Sequence, residues 1–139
     1  MVGATELAKK RMTALEVSHA VITAAMKVHS ALGPGLLESA YEACLLHELC
    51  KMGLKVEAQL ALPVVYDGVR LDVGYRIDLM VEDLAVVELK TVEEITRVHH
   101  AQIISYLKLS KKSLGLLINF NVARLKDGIK RFVHGTDWK

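Results

Sequence analysis

The 139-residue sequence has only two cysteines, and their spacing suits neither a disulfide nor a pair of metal ligands. Cys44 and Cys50 lie six positions apart on a predicted helix, a spacing that turns them to different sides. A disulfide or a paired set of metal ligands is therefore disfavoured. We expect both to be buried free thiols in a reducing compartment, which predicts a cytoplasmic protein.

Long apolar runs and a large charge excess are missing as well. No stretch approaches the ~18 consecutive apolar residues of a membrane span, and the apolar segment after the basic residues 9–11 is interrupted by Glu16. We therefore expect neither a membrane helix nor a signal peptide. The net charge of +2, from 18 basic and 16 acidic residues, neither requires nor excludes nucleic acid, although dedicated DNA-binding modules usually carry a stronger basic excess.

The chain does have the length and the 52% hydrophobic content of one globular domain. We expect a single domain over residues 1–139, with residues 1–12 as a flexible arm. Apolar periodicity and turn residues predict an α/β fold, a mixed central sheet flanked by helices. The predicted helices cover 14–32, 36–52 and 97–109, and the predicted strands cover 56–66, 75–81, 85–89 and 114–120, with a turn at Asp127-Gly128 and a short strand or helix over 129–133.

The central observation is that two acidic residues, Asp78 and Glu88, lie on neighbouring predicted strands. If the loop between these strands holds three residues, Val81 pairs with Ala85. The same register sets Asp78 directly opposite Glu88 on one face, with Lys90 further along that face. A two-residue loop would shift the register by one and separate the carboxylates to opposite faces.

Facing carboxylates repel each other unless a cation lies between them. Mg²⁺ suits such a pair, because it binds a couple of carboxylates together with waters and substrate phosphate. Lys90 would orient or deprotonate an attacking water, or offset charge on the phosphate, as phosphodiester hydrolysis requires. The alternative is an exposed strand face whose mixed charges serve only solvation.

Two further groups of polar residues fit the first interpretation. Gln102 and Tyr106 share a helix face, which would set an amide and a phenol beside the acidic cluster, unless that face simply meets water. Glu38 lies in the first turn of the second helix, where the helix dipole favours an anion, and Tyr41 follows one turn later. The plainer interpretation is that Glu38 stabilises the helix start and Tyr41 packs against the sheet.

The run Gly35-x-x-Glu38-x-x-Tyr41 resembles the signature of the GxxExxY proteins. That family is similar to the recombination-nuclease branch of the PD-(D/E)XK nuclease-like superfamily. The likeness extends over about residues 14–133, with further matching stretches at 28–35, 75–79, 87–90 and 116–121. One departure is Ile77, which precedes Asp78 where the superfamily name has proline.

The resemblance implies a restriction-endonuclease-like core of helix, three-stranded meander, helix and strand. It implies that Asp78, Glu88 and Lys90 form the signature triad and that Glu38 is an additional acid near the metal. The catalytic residues that it implies are Glu38, Asp78, Glu88, Lys90, Gln102 and Tyr106, of which Asp78, Glu88 and Glu38 would bind the metal.

We therefore expect a nuclease that uses Mg²⁺ or Mn²⁺ and acts on nucleic acid, with DNA preferred to RNA as the expected substrate. One alternative is a non-catalytic module that keeps the fold and binds nucleic acid or a partner protein. Another is a structural homo-oligomer in which the carboxylates are incidental. A homodimer would also supply additional DNA-binding area to a small nuclease.

Overall fold

The computed structural model describes residues 11–135 and 138. Most of the predicted N-terminal arm, residues 1–10, lies outside this range, so the arm and the extent of the single domain stay predictions. Within the described part of the chain, no helix is long and apolar enough to cross a membrane.

Three helices form where the apolar periodicity predicts them: α1 (Ala14–Leu32), α2 (Glu38–Lys51) and α3 (Arg97–Ser110). Thr13 begins α1 with a capping box, because its hydroxyl accepts from the Glu16 N–H at 3.1 Å and the Glu16 carboxylate accepts from the Thr13 N–H at 3.0 Å. The helix ends before Gly33, whose φ of 68° suits a residue without a side chain.

The strands are β1 (Val56–Ala61), β2 (Val64–Tyr66), β3 (Val69–Leu71), β4 (Arg76–Val81), β5 (Ala85–Lys90), β6 (Leu114–Asn119) and β7 (Ile129–Val133). Five of them form one sheet in the order β1-β4-β5-β6-β7. β5 and β6 run parallel, and the other neighbours run antiparallel. Because parallel strands need a crossover, α3 connects β5 to β6. The predicted mixed sheet is confirmed.

Alternate residues of the central strands pack into two separate clusters, which are the two faces of the sheet. Leu89 and its neighbours at alternate positions pack beneath α1 and α2. Val86 and Leu117 point the other way and pack against Ile103 of α3. The predicted arrangement, a sheet flanked by helices, is therefore confirmed, and β5 and β6 are buried along nearly their whole length.

Two sequence-based expectations were wrong in detail. The predicted strand over 56–66 is two strands, because Pro63 cannot donate to a ladder; β2 leaves the main sheet and pairs with β3 in a separate hairpin. Asp67 and Gly68 form its turn, both with positive φ. Cys44 is half-buried and Cys50 is exposed, so the expected burial of both free thiols is also incorrect.

Candidate active site

The loop between β4 and β5 sets the register on which the site depends. It holds three residues, Glu82, Asp83 and Leu84, and Val81 pairs with Ala85 across it. The first two loop residues adopt left-handed φ values of 54°, which makes the chain reverse sharply. The odd loop predicted from the sequence is therefore confirmed.

Beyond the pair of Leu79 with Val87, the two strands are joined by their own carboxylates. The Asp78 N–H donates to a Glu88 carboxylate oxygen (Oε2) at 2.9 Å. In return, the Leu89 N–H donates to a carboxylate oxygen of Asp78 (Oδ2) at 2.8 Å. Each acidic side chain thus binds the backbone of the opposite strand, and the two carboxylates lie side by side.

Glu88 is buried to 4% exposure, which is unusual for a carboxylate. Burial, and after it the negative charge of Asp78, raises the pKa of Glu88 to about 9. The positive charge of Lys90 acts in the opposite direction. Near neutral pH the pair therefore favours a shared proton, or a cation in its place.

The backbone from Lys90 to Val92 is held by the end of β6 and the residue that follows it. The Phe120 N–H donates to the Lys90 carbonyl at 2.9 Å. Asn119, which is buried beside Lys90, binds both polar groups of the Val92 backbone: its Oδ1 accepts from the N–H at 3.1 Å and its Nδ2 donates to the carbonyl at 2.8 Å. The lysine therefore stands on a fixed stretch of backbone.

Helix α2 brings two further carboxylates to this cluster. Burial and then the charge of Asp78 raise the pKa of Glu38, while Lys90 lowers it, so these three groups lie within electrostatic reach of one another. Glu42 stands one turn later on the same side of the helix, and its pKa is also raised, by burial first and by Asp78 more weakly. The sequence interpretation overlooked Glu42, although its spacing of four from Glu38 would have revealed it.

Gln59 of β1 connects α2 to the strand pair. Its side-chain nitrogen donates to Glu42 Oε1 at 2.6 Å and to Asp78 Oδ1 at 3.3 Å. A lone glutamine in a predicted edge strand carries no sequence signal for such a role. Gln59 is thus the second residue of the site that sequence reasoning missed.

Tyr41, the last residue of the Gly-x-x-Glu-x-x-Tyr run, has a structural role at the connection between α1 and α2. Its hydroxyl donates to the Gly33 carbonyl at 2.5 Å and accepts from the Leu36 N–H at 3.2 Å. Its ring stacks on Phe120 with the ring centroids 4.5 Å apart. Tyr41 therefore fixes the α1–α2 connection against the end of β6, which sets the position from which Glu38 approaches the sheet.

The α3 side of the site carries the predicted amide and phenol. Gln102 Nε2 donates to the Tyr106 hydroxyl at 3.1 Å. Burial and then the charge of Glu88 raise the pKa of Tyr106, which places the phenol beside the acidic cluster. Both residues, with Tyr75 and His99, line an open cavity of about 660 Å³. Electrostatic interactions thus link the five titratable residues among the six predicted ones, and Gln102 joins them through Tyr106. Neither the three carboxylates nor Lys90 lines the cavity.

The donor set suits a hard divalent cation that keeps part of its water. Mg²⁺ typically takes one or two protein carboxylates and fills its other positions with water and phosphate. Asp78 and Glu88 supply two such carboxylates side by side. Among the described residues, no three Asp, Glu, His or Cys side chains converge closely enough to enclose an ion.

A comparison with protein families now identifies the arrangement. The model of the PD-(D/E)XK nuclease superfamily matches residues 15–132. The chain belongs to this superfamily. The matched range contains Asp78 and Glu88-Leu89-Lys90, and their assignment to the signature motif stays a prediction. Membership confirms the predicted fold class and gives the protein a nuclease-like function, while the narrower GxxExxY assignment stays a prediction.

No curated protein matches the chain significantly. No solved structure does so either.

Proposed function

We propose that this PD-(D/E)XK protein is a metal-dependent nuclease that hydrolyses phosphodiester bonds in nucleic acid, with DNA as the preferred substrate. The observation that carries the proposal is the reciprocal bonding of Asp78 and Glu88, which concentrates negative charge at a largely buried point. A purely solvating strand face would leave such carboxylates exposed and apart.

In this proposal Asp78 and Glu88 hold Mg²⁺ or Mn²⁺, and Glu38 binds the ion or one of its waters. The bound metal supplies an acidified water and stabilises the charge that develops on the phosphate. Lys90 stands next to these carboxylates on a fixed backbone, so its ammonium group orients the attacking water or binds the phosphate.

The pair of Gln102 and Tyr106 borders the same point from the other face of the sheet. Their hydrogen bond orients the phenol. In this proposal the open cavity that they line receives part of the nucleic acid strand. We also propose that the chain is a GxxExxY protein, that it acts in the cytoplasm as a single domain, and that a homodimer extends its DNA-binding surface.

Paired substitutions in one hairpin test the proposal. Asp78→Asn and Asp83→Asn each remove one negative charge with little change of shape, but Asp83 lies at the turn, where it pairs with Lys112 at 3.0 Å. We expect the wild type and Asp83→Asn to bind Mn²⁺ in calorimetric titrations and to cleave DNA. Asp78→Asn should lose at least roughly 100-fold in cleavage rate and bind Mn²⁺ more weakly.

The other outcomes separate the alternatives. Metal binding by the wild type without cleavage of DNA or RNA would favour the non-catalytic module. If the wild type binds no Mn²⁺ even with nucleic acid present, the metal-dependent nuclease is wrong.

A further inference from the structure

Gln59 has an unusual backbone for a residue inside a strand. Its φ is 52°, which lies in the left-handed region that residues other than glycine, asparagine and aspartate rarely adopt. The other non-glycine residues of this kind in the described part of the chain lie in turns or at a helix end: Asp67, Glu82, Asp83 and Lys111. Strain of this kind persists only where surrounding contacts outweigh it, and it clusters at functional sites.

The side-chain contacts of Gln59 both lie at the acidic cluster, because its amide donates to Glu42 and to Asp78. Its backbone carbonyl accepts from the Arg76 guanidinium at 3.4 Å. Asp78 is therefore held at both carboxylate oxygens, by Gln59 at Oδ1 and by the Leu89 N–H at Oδ2.

Both strands change face at this position. In β4, Leu79 packs beneath α1 and α2, whereas Ile77, two residues away, packs on the α3 side. In β1, Val56 and Leu60 divide between the same two clusters. The pairs on either side of this point put Gln59 opposite Asp78. A regular ladder therefore does not orient Asp78 here, and the orientation falls to side-chain contacts.

From these observations we infer that Gln59 is a positioning residue. Its amide bridges Glu42 and the Asp78 carboxylate, and so holds Asp78 in the orientation in which it accepts from the Leu89 N–H. This role rests on the proposed nuclease function, since Asp78 is a carboxylate proposed to hold the metal. Its first readout, however, needs neither metal nor substrate.

Amide hydrogen exchange at Leu89 reports directly on the orientation of Asp78, because the Leu89 N–H donates to that carboxylate. Gln59→Gly removes the amide and relieves the backbone strain, and Gln59→Glu keeps the length of the side chain without the donor. In both metal-free variants we expect Leu89 to exchange at least ~10-fold faster, while the other β5 amides stay protected. Gln59→Gly should melt close to the wild-type temperature, because the loss of the side-chain contacts and the relief of backbone strain oppose each other.

Asp67→Gly is the matched control, since Asp67 has the same left-handed φ of 53° but lies in the exposed β2–β3 turn. It relieves strain in the same way and should leave Leu89 exchange unchanged. In calorimetric titrations, Gln59→Gly should bind Mn²⁺ roughly 10- to 100-fold more weakly than the wild type, as expected when a group that orients a ligand is lost. Gln59→Glu is used for the exchange measurement alone, because its added carboxylate would itself attract the cation.

Two results would overturn the inference. In one, Leu89 exchange is unchanged in Gln59→Gly. In the other, Gln59→Gly melts several degrees lower and all sheet amides lose protection together, which would make the role of Gln59 purely structural. If the wild type binds no Mn²⁺, the proposed nuclease fails, and the exchange of Leu89 still decides the role of Gln59.

Discussion

The two ends of the β4–β5 hairpin are built from the same strands but are held together differently. At the turn, a regular ladder pairs Met80 with Val86, and both side chains are buried against α3. At the open end, the carboxylates of Asp78 and Glu88 bind the opposite backbone themselves. The turn end gains its stability from apolar burial, whereas the open end places charges close together where a cation would relieve them.

The two ends of the hairpin should therefore contribute to different properties, the turn end to folding stability and the open end to metal binding and cleavage. Substitutions at the turn end should lower the free energy of unfolding and leave metal binding intact. Substitutions at the open end should change metal binding, pH dependence and cleavage with smaller effects on folding.

Met80→Ala is the strongest test at the turn end. Met80 is 2% exposed, so truncation leaves a cavity and should lower the free energy of unfolding by about 2–5 kcal/mol in chemical denaturation. Met80→Leu conserves volume and should lower it by less than about 1.5 kcal/mol. Mn²⁺ affinity should match the wild type in both variants at a temperature where they remain folded. A parallel loss of affinity would show that the two ends are not independent.

Glu88→Gln tests the open end through pH. Because folding raises the pKa of Glu88 to about 9, the folded state holds a proton that the unfolded chain releases near its ordinary pKa. This contribution to stability is fully present below the unfolded pKa and is lost as pH rises towards 9. Metal-free wild type should therefore lose stability between about pH 5 and 9, by at most about 1.4 kcal/mol per pH unit from this group.

Glu88→Gln should flatten this slope in denaturation series run with a chelator. Glu94→Gln, which changes an exposed glutamate beyond β5, should keep the wild-type slope. An unchanged slope in Glu88→Gln would mean that Glu88 does not carry the proton. Because a cation displaces that proton, Mn²⁺ affinity of the wild type should rise with pH over the same interval.

Tyr106→Phe is expected to have the smallest effect. It removes the hydroxyl that accepts from Gln102 but keeps the buried ring, so cleavage should fall by roughly 2- to 10-fold, the size of one ordinary hydrogen bond. Tyr66→Phe removes a hydroxyl from an exposed ring in β2, away from the site, as a control. A loss as large as that of Asp78→Asn would instead place the Tyr106 hydroxyl in the reaction itself.

The sheet and the register of the site were predictable because both follow from local rules. Apolar periodicity identified the central strands, and the three-residue loop gave the pairing of Val81 with Ala85, from which the proximity of Asp78 and Glu88 was predicted. The left-handed Gln59 was not predictable, because a non-glycine residue with positive φ leaves no mark in composition or periodicity. The change of face around Asp78 was not predicted for a related reason, since the sequence pattern indicates strict alternation along β4.

The hold that β6 keeps on the Lys90 backbone has a mechanical consequence. With the Lys90 carbonyl bound to Phe120 and Val92 bound by Asn119, the base of the lysine is a fixed pivot. The position of the ammonium group then depends on the four-carbon side chain of the lysine, which rotates about a fixed backbone. Asn119, at the end of the strand that follows the crossover, therefore affects the position of Lys90 indirectly, through the backbone of Val92.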